Sequence, residues 1–357
     1  MKAIVHIGTE KTGTTSIQEF LYQNRKKLSV AGFHFLQSAG KRNNRAIPAY
    51  CLGETSRDDY FRSHGIRTQQ ERQAFKKKFL KTFDAEIKTL PQHITTVIIS
   101  SEHFHSRITT DSEINNLSKF FSGYFDEVKI VCYLREQATT CQSYYSTILR
   151  NGGTQSFSEF LEKHCEPQNI YFNYNAMLTN WARYFGVESL DISLFFRERF
   201  LNGSLLDDFT AKIDPALIGT LSKTAEIQNQ SLTPFGQALS RAVNMIFPMH
   251  TSPSEGTAIR DRCKEIIRHR LPGIGQQPSS EERMSIYSSF IESNTLVQQK
   301  FFPTRNPLFE SPDEVVIPRV SIDQADLDVL IAVLDLIAKQ GRDQFLESGY
   351  GRVCTFF

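Results

Sequence analysis

The chain has 357 residues, 40% of them hydrophobic and 22% charged, enough to bury a substantial core in one large domain or two. Its 41 basic and 39 acidic residues nearly cancel, so no global positive field points to nucleic acid, and any anion must be met by local charge. No stretch approaches the ~20 apolar residues that a bilayer span requires; the richest, LDVLIAVLDLIA at 327–338, is short and carries Asp328 and Asp335.

The first strand pattern begins at Lys2, which leaves no room for a secretory leader ahead of it and makes a cytoplasmic enzyme the expected class. Six cysteines (Cys51, Cys132, Cys141, Cys165, Cys263, Cys354) lie scattered without CxxC pairs and read as reduced thiols rather than a disulfide framework.

Strand-like and helix-like segments alternate through the first 200 or so residues. AIVHIG (3–8) is followed by TSIQEFLYQNRKKL (15–28), where Ile17, Leu21 and Leu28 recur at helical spacing. Gly32 precedes a second short run, FHFL. A helix is predicted over 71–90, with Phe75, Phe79, Phe83 and Ile87 four residues apart. TTVIIS (95–100) and VKIVCYL (128–134) are nearly unbroken apolar runs, as expected of strands buried on both faces. A helix ending at Gly186 then leads to LDISLFF (190–196). This repeated order predicts an α/β fold with a parallel sheet flanked by helices, and it places the loops after Ile7, Ser100 and Leu134 on one ligand-binding rim.

Beyond about residue 216 the strand pattern stops. TPFGQALSRAVNMIF, TAIRDRCKEIIRHRL and EERMSIYSSFIESNTLVQQKFF read as helices, and a last one is predicted to start at the capping-box spelling SIDQ (321–324). SFSE (156–159) is another such spelling. The expected division is an α/β core over 1–215 and a helical extension over 216–357.

The loop HIGTEKTGTTS (6–16) carries the chemistry. A Walker A loop places lysine directly after its second glycine, whereas here Lys11 precedes Gly13 by two residues and Thr14 follows it. The backbone logic is retained: glycines let amides crowd an anion, and the following helix points its positive end at it.

KTGTTS (11–16) resembles the 5'-phosphosulfate loop of sulfotransferases, usually spelled K-[ST]-G-T-[ST]. The resemblance implies a P-loop NTPase-like fold, 3'-phosphoadenosine 5'-phosphosulfate as donor, and binding of it by Lys11, Thr12, Gly13, Thr14, Thr15 and Ser16. The family also has a strand-end arginine and a serine eight residues later that grip the 3'-phosphate. VCYLREQATTCQSYYS supplies Arg135 and Ser143 at that spacing, and a guanidinium and a hydroxyl on the next helix can converge on one phosphate. YNAMLTNWARYFG, NQSLT (229–233) and SNTLVQQKFF (293–302) are weaker features resembling bacterial members. Residues 37–70 and the last few dozen carry no such feature. Many cytosolic members have a tryptophan that stacks on adenine where this chain has Ser16, so adenine is expected to be held by another group.

Sulfuryl transfer needs a base for the acceptor hydroxyl. SSEHFH (100–105) offers Glu102, as in many bacterial sulfotransferases, with His103 or His105 as the alternative and a bare ion pair between Glu102 and Arg107, or a helix cap, as the structural reading. His103 and His105 have strand-type ligand spacing but no third ligand, so no metal is expected. FKKKFLK (75–81) reads as a solvated helix face, and Tyr144 and Tyr145 as packing residues. A small-molecule kinase is disfavoured by the displaced lysine and by a strand ending in Ser-Ser-Glu. A non-catalytic nucleotide-binding module remains the third class. By family analogy the acceptor is a glycan or glycolipid; oligomeric state is not legible.

Overall fold

The structure is a computed structural model of the chain and describes residues 1–223, 231–249, 254–312 and 322–347. In chain order the first elements are β1 (Lys2–Gly8), α1 (Thr14–Val30), β2 (Phe33–Phe35), α2 (Ala46–Cys51), α3 (Asp59–Ser63), α4 (Gln69–Lys88), β3 (Thr96–Ser100) and α5 (His103–Arg107). These are followed by α6 (Asp111–Ser122), β4 (Glu127–Leu134), α7 (Gln137–Arg150), α8 (Phe157–His164), α9 (Tyr174–Phe185), β5 (Leu190–Leu194) and α10 (Leu205–Ile213). The remainder comprises β6 (Ser231–Leu232), α11 (Pro234–Ile246), α12 (Ser254–Arg270), β7 (Pro272–Gly273), α13 (Ser280–Phe301) and α14 (Gln324–Glu347).

Five strands pair in parallel in the order β2-β3-β1-β4-β5. The apolar runs are unbroken because both faces of this sheet are covered. Ala3, Val5 and Ile7 join Val97, Ile99, Cys132 and Leu134 in one cluster with Ile47, Phe83, Leu117 and Trp181. The alternate residues Ile4, Ile98, Val131 and Tyr133 face Ile17, Leu21 and Leu28 of α1 and Phe209 of α10. The three central strands β1, β3 and β4 therefore alternate between two cores, which is why apolar, largely β-branched residues fill them on both sides.

Order and register bring three strand ends together. His6 pairs with Ser100 of β3 and Gly8 with Cys132 of β4, so the turns after β1, β3 and β4 share the carboxyl rim. The chain leaves β1 toward β2 on one side and β4 toward β5 on the other, which makes the β1–β4 crevice the topological switch point where such sheets bind ligands.

Contacts divide the chain into two compact units: Met1–Gln137 with Glu166–Ile227 and Ser289–Glu310, and Ala138–Cys165 with Gln228–Ser288 and Ser311–Phe357. The last strand of the parallel sheet ends at Leu194, and the first unit also takes in Val297, Leu308 and Phe309 as core residues. The second unit packs Leu239 and Val243 of α11, Ile259, Cys263 and Ile267 of α12, and Val329 and Val333 of α14. It also contains a two-stranded antiparallel pair, β6–β7, where only helices were expected.

The SFSE box forms as spelled, with Ser156 and Glu159 capping α8 reciprocally. Ser321 of SIDQ lies outside the described residues; α14 starts at Gln324, where Asp323 and Asp326 exchange capping bonds. Cys51, Cys132, Cys141, Cys165 and Cys263 are all buried; Cys354 lies outside the described residues, as do Asn229 and Gln230 of NQSLT. Among the described residues no helix is long and apolar enough to cross a membrane.

Candidate functional site

The turn after β1 is anchored from three directions. The Thr9 amide and hydroxyl both donate to the Tyr133 carbonyl on β4, at 3.0 Å each. Thr12 Oγ1 donates to the Thr9 carbonyl (2.6 Å) and closes the turn on itself. The Glu10 amide meets His105 Nδ1 at 3.4 Å. Lys11 (φ 69°) and Gly13 (φ 74°) both take the left-handed conformation. Glycine is required at 13 for a second reason as well: a Cβ there would lie 2.3 Å from Leu205 Cδ2. For Lys11 the conformation is a local cost of the kind that clusters at ligand clamps.

This geometry leaves the start of α1 open. Gly13 offers no side-chain cap, and the first turn holds no acidic residue. Intrahelical bonding begins with the Ile17 amide on the Gly13 carbonyl (3.1 Å). Among the described residues the amides of Thr12, Gly13, Thr14, Thr15 and Ser16 have no acceptor in the protein. Successive unbonded N–H groups in the turn and at the start of a 17-residue helix suit an anion such as a phosphate or sulfate ester.

Glu102 stands next to this turn; a Cβ on Gly8 would come within 3.6 Å of its Cβ. Its Oε2 accepts from Gln18 Nε2 of α1 (2.7 Å) and Asn43 Nδ2 (2.9 Å). Oε1 has His103 Nδ1 at 3.9 Å, beyond hydrogen-bond reach. Burial raises the Glu102 pKa; the Gln18 hydrogen bond and a backbone hydrogen bond at Glu102 itself oppose that shift, and the neighbouring Glu10 carboxylate adds to it. Glu102 thus has the raised affinity for a proton that suits a general base. It makes no pair with Arg107, which instead joins Arg45 on the fully buried Asp58 carboxylate.

The two histidines are differently placed from the strand spacing first read for them, because 103–107 is a short helix. His105 is buried with both nitrogens used: Nε2 donates to the Tyr171 carbonyl (3.0 Å) and Nδ1 receives the Glu10 amide. Burial lowers its pKa, so it is a neutral brace for the loop. His103 is pushed down to about 3 by burial and by Arg45 and Arg107, which makes it a poor proton acceptor beside Glu102.

Arg135, just past β4, donates from Nη1 to the Lys11 carbonyl (3.0 Å) and lies 5.7 Å from the Phe195 ring. Its guanidinium is thereby fixed to the phosphate-loop candidate. Ser143 lies in the middle of α7, in the second unit. At the end of β3, where a nucleotide hydrolase would have a metal-binding aspartate, Ser100 is bound to His6 Nδ1 through its hydroxyl (2.8 Å) and to Asn44 Oδ1 through its amide. Among the described residues no three His, Cys, Asp or Glu side chains cluster as a metal set would.

Sequence reasoning missed Gln18, Asn43 and the brace made by His105 and Tyr171, whose hydroxyl donates to Glu10 Oε2 (3.0 Å). It also missed what SNTLVQQKFF does: Asn294 and Gln137 exchange amide hydrogen bonds, and Ser293 donates to Asn173 at the N-terminus of α9. A buried polar residue on an apolar helix face, such as Gln18, was the one available signal.

No protein-family model matches the chain. An uncharacterized protein of Archaeoglobus fulgidus is 26% identical over 253 residues, covering 69% of this chain and 66% of that protein, just under two thirds of its length. Among solved structures, a sulfotransferase from Alicyclobacillus acidocaldarius aligns over 84% of this chain and 94% of its own, at 13% identity and a TM-score of 0.42. A likeness this loose carries no functional argument; the site residues must carry it.

Proposed function

We propose that the chain is a sulfotransferase that moves a sulfuryl group from 3'-phosphoadenosine 5'-phosphosulfate to an acceptor hydroxyl, with a glycan or glycolipid as the acceptor class. The observation that carries the reading is a carboxylate, Glu102, that takes both side-chain amide donors on Oε2 and none on Oε1, beside an uncapped strand-to-helix turn that bears a lysine. The amides from Thr12 to Ser16 receive the phosphosulfate, and Lys11 neutralises the charge that builds on the bridging oxygen. Glu102 Oε1 takes the acceptor proton as the hydroxyl oxygen bonds to sulfur. The bond from sulfur to the phosphate oxygen breaks with its electron pair, leaving adenosine 3',5'-bisphosphate. The family resemblance assigns Arg135 and Ser143 to the 3'-phosphate. The carbohydrate acceptor rests on analogy alone.

The test is turnover of the sulfo donor with a panel of glycan acceptors, with ATP as the competing donor. Sulfated product with wild type and none with Lys11→Ala supports the reading. Hydrolysis of ATP in place of sulfuryl transfer replaces it with a kinase-type activity, and nucleotide binding without either reaction points to a non-catalytic module.

A further inference from the structure

Asn43 comes from the segment 37–70, which has no motif in the sequence. Its neighbour Asn44 pins that segment to the end of β3: the Asn44 amide donates to the Ser100 carbonyl (2.9 Å), and its Oδ1 accepts the Ser100 amide (2.8 Å). Asn44 Nδ2 also ties back to the carbonyls of Leu36 and Gly40. The turn is tight enough that a Cβ on Gly40 (φ 126°) would lie 2.1 Å from the Asn43 carbonyl oxygen. Asn43 is thereby delivered to Glu102 from one side while Gln18 reaches it from α1.

The carboxylate of Glu102 sets the orientation of the Asn43 amide. Its Nδ2 donates to Glu102, and its Oδ1 is buried without a partner among the described residues. Reversing the amide would set oxygen against a carboxylate oxygen, so Glu102 dictates the direction and the orphaned oxygen is its consequence. Gln18, 5% exposed, likewise occupies a position between buried Ile17 and Leu21 where an apolar side chain would pack. Two polar residues are thus held against local packing preference to serve one oxygen.

Building on the proposed function, we infer that Gln18 and Asn43 are positioning residues for the base: they hold Oε2 of Glu102 and leave Oε1 as the single oxygen that takes the acceptor's proton. Two N–H donors favour the ionised carboxyl and oppose the effect of burial. The other charged or titratable groups facing Glu102 are Glu10 from the loop, Arg45 and His103. Arg45, itself paired with Asp58 and Asp59, and a backbone hydrogen bond at Glu102 also favour the ionised form; the two side-chain amides are the contribution that substitution can remove.

The test compares full-length wild type, Gln18→Met and Asn43→Leu, each checked for folding by its thermal melt. Carbon-13 NMR of the Glu102 carboxyl, assigned by its loss in Glu102→Gln, follows its titration without any substrate. Sulfuryl transfer is measured across pH in parallel. The carboxyl midpoint should move to higher pH in each variant, and the acid limb of kcat/KM should move with it. Turnover should fall about 10- to 100-fold through misplacement of the base, with affinity for adenosine 3',5'-bisphosphate unchanged. An unmoved midpoint in the folded variants overturns the clamp whatever the protein turns over. A moved midpoint with unaltered turnover overturns its catalytic part. Wild-type activity in Glu102→Gln, or no sulfuryl transfer by wild type, instead takes down the functional reading on which the inference rests, and the titration tells these failures apart.

Discussion

Lys11 occupies a backbone conformation that disfavours any residue with a Cβ, yet it packs in no core cluster. Lys11→Ala should leave the fold intact and lower sulfuryl transfer by ~10²–10³, the usual loss for a donor aimed at developing charge; near-normal turnover would remove Lys11 from the chemistry. Glu102 supplies a second test, through pH. Burial makes its carboxyl hold a proton more tightly in the folded chain than in the unfolded one. Its contribution to stability is therefore fully present below the unfolded pKa and is lost as pH rises through the folded value. Glu102→Gln, which cannot ionise, should melt higher than wild type at neutral pH, with the gap closing in acid. A constant gap across pH would show that the folded carboxyl is not perturbed. The lysine, the glycines and the carboxylate could all be named from their order in the chain. The weighing of Glu102 against His103 and His105 draws on partners from Gln18 to Tyr171 that are distant in sequence, and the base remains a proposal that Glu102→Gln tests.

Strands and helices were the most legible features, since two-sided burial writes itself as unbroken β-branched runs and α1 as helical spacing. Gly13 shows how an element end meets a tertiary demand. Gly13→Ala should destabilise the chain by about 1–3 kcal/mol through its left-handed backbone, with an added clash against Leu205. Removing the Leu205 side chain as well should relieve only the clash; urea melts of the single and double variants separate the two contributions. The end of β3 carries a different expectation. Ser100 and Ser101 offer no aspartate for a magnesium ion, and the Ser100 hydroxyl is engaged by His6. Sulfuryl transfer should therefore persist in excess EDTA, with magnesium acting only as a salt; strict magnesium dependence would favour phosphoryl chemistry.

The two compact units are interleaved in sequence, and this has a consequence for truncation. A chain ending at residue 215 lacks Val297, Leu308 and Phe309 of the first unit's core and the Asn294 and Ser293 partners of Gln137 and Asn173. Such a fragment should fail to unfold cooperatively, as read by calorimetry; a sharp transition in it would support a domain boundary at 215. By itself the sequence determined the order of strands and crossover helices, the parallel sheet and the phosphate-loop candidate, because periodicity and loop chemistry are local properties of the chain. Only the tertiary structure decided that Asn43 and Gln18 meet at one oxygen of Glu102, that His105 braces the loop, and that residues near 300 complete the first core. Those outcomes depend on which distant segments share space, and no local pattern encodes a hydrogen bond across 59 or 84 positions.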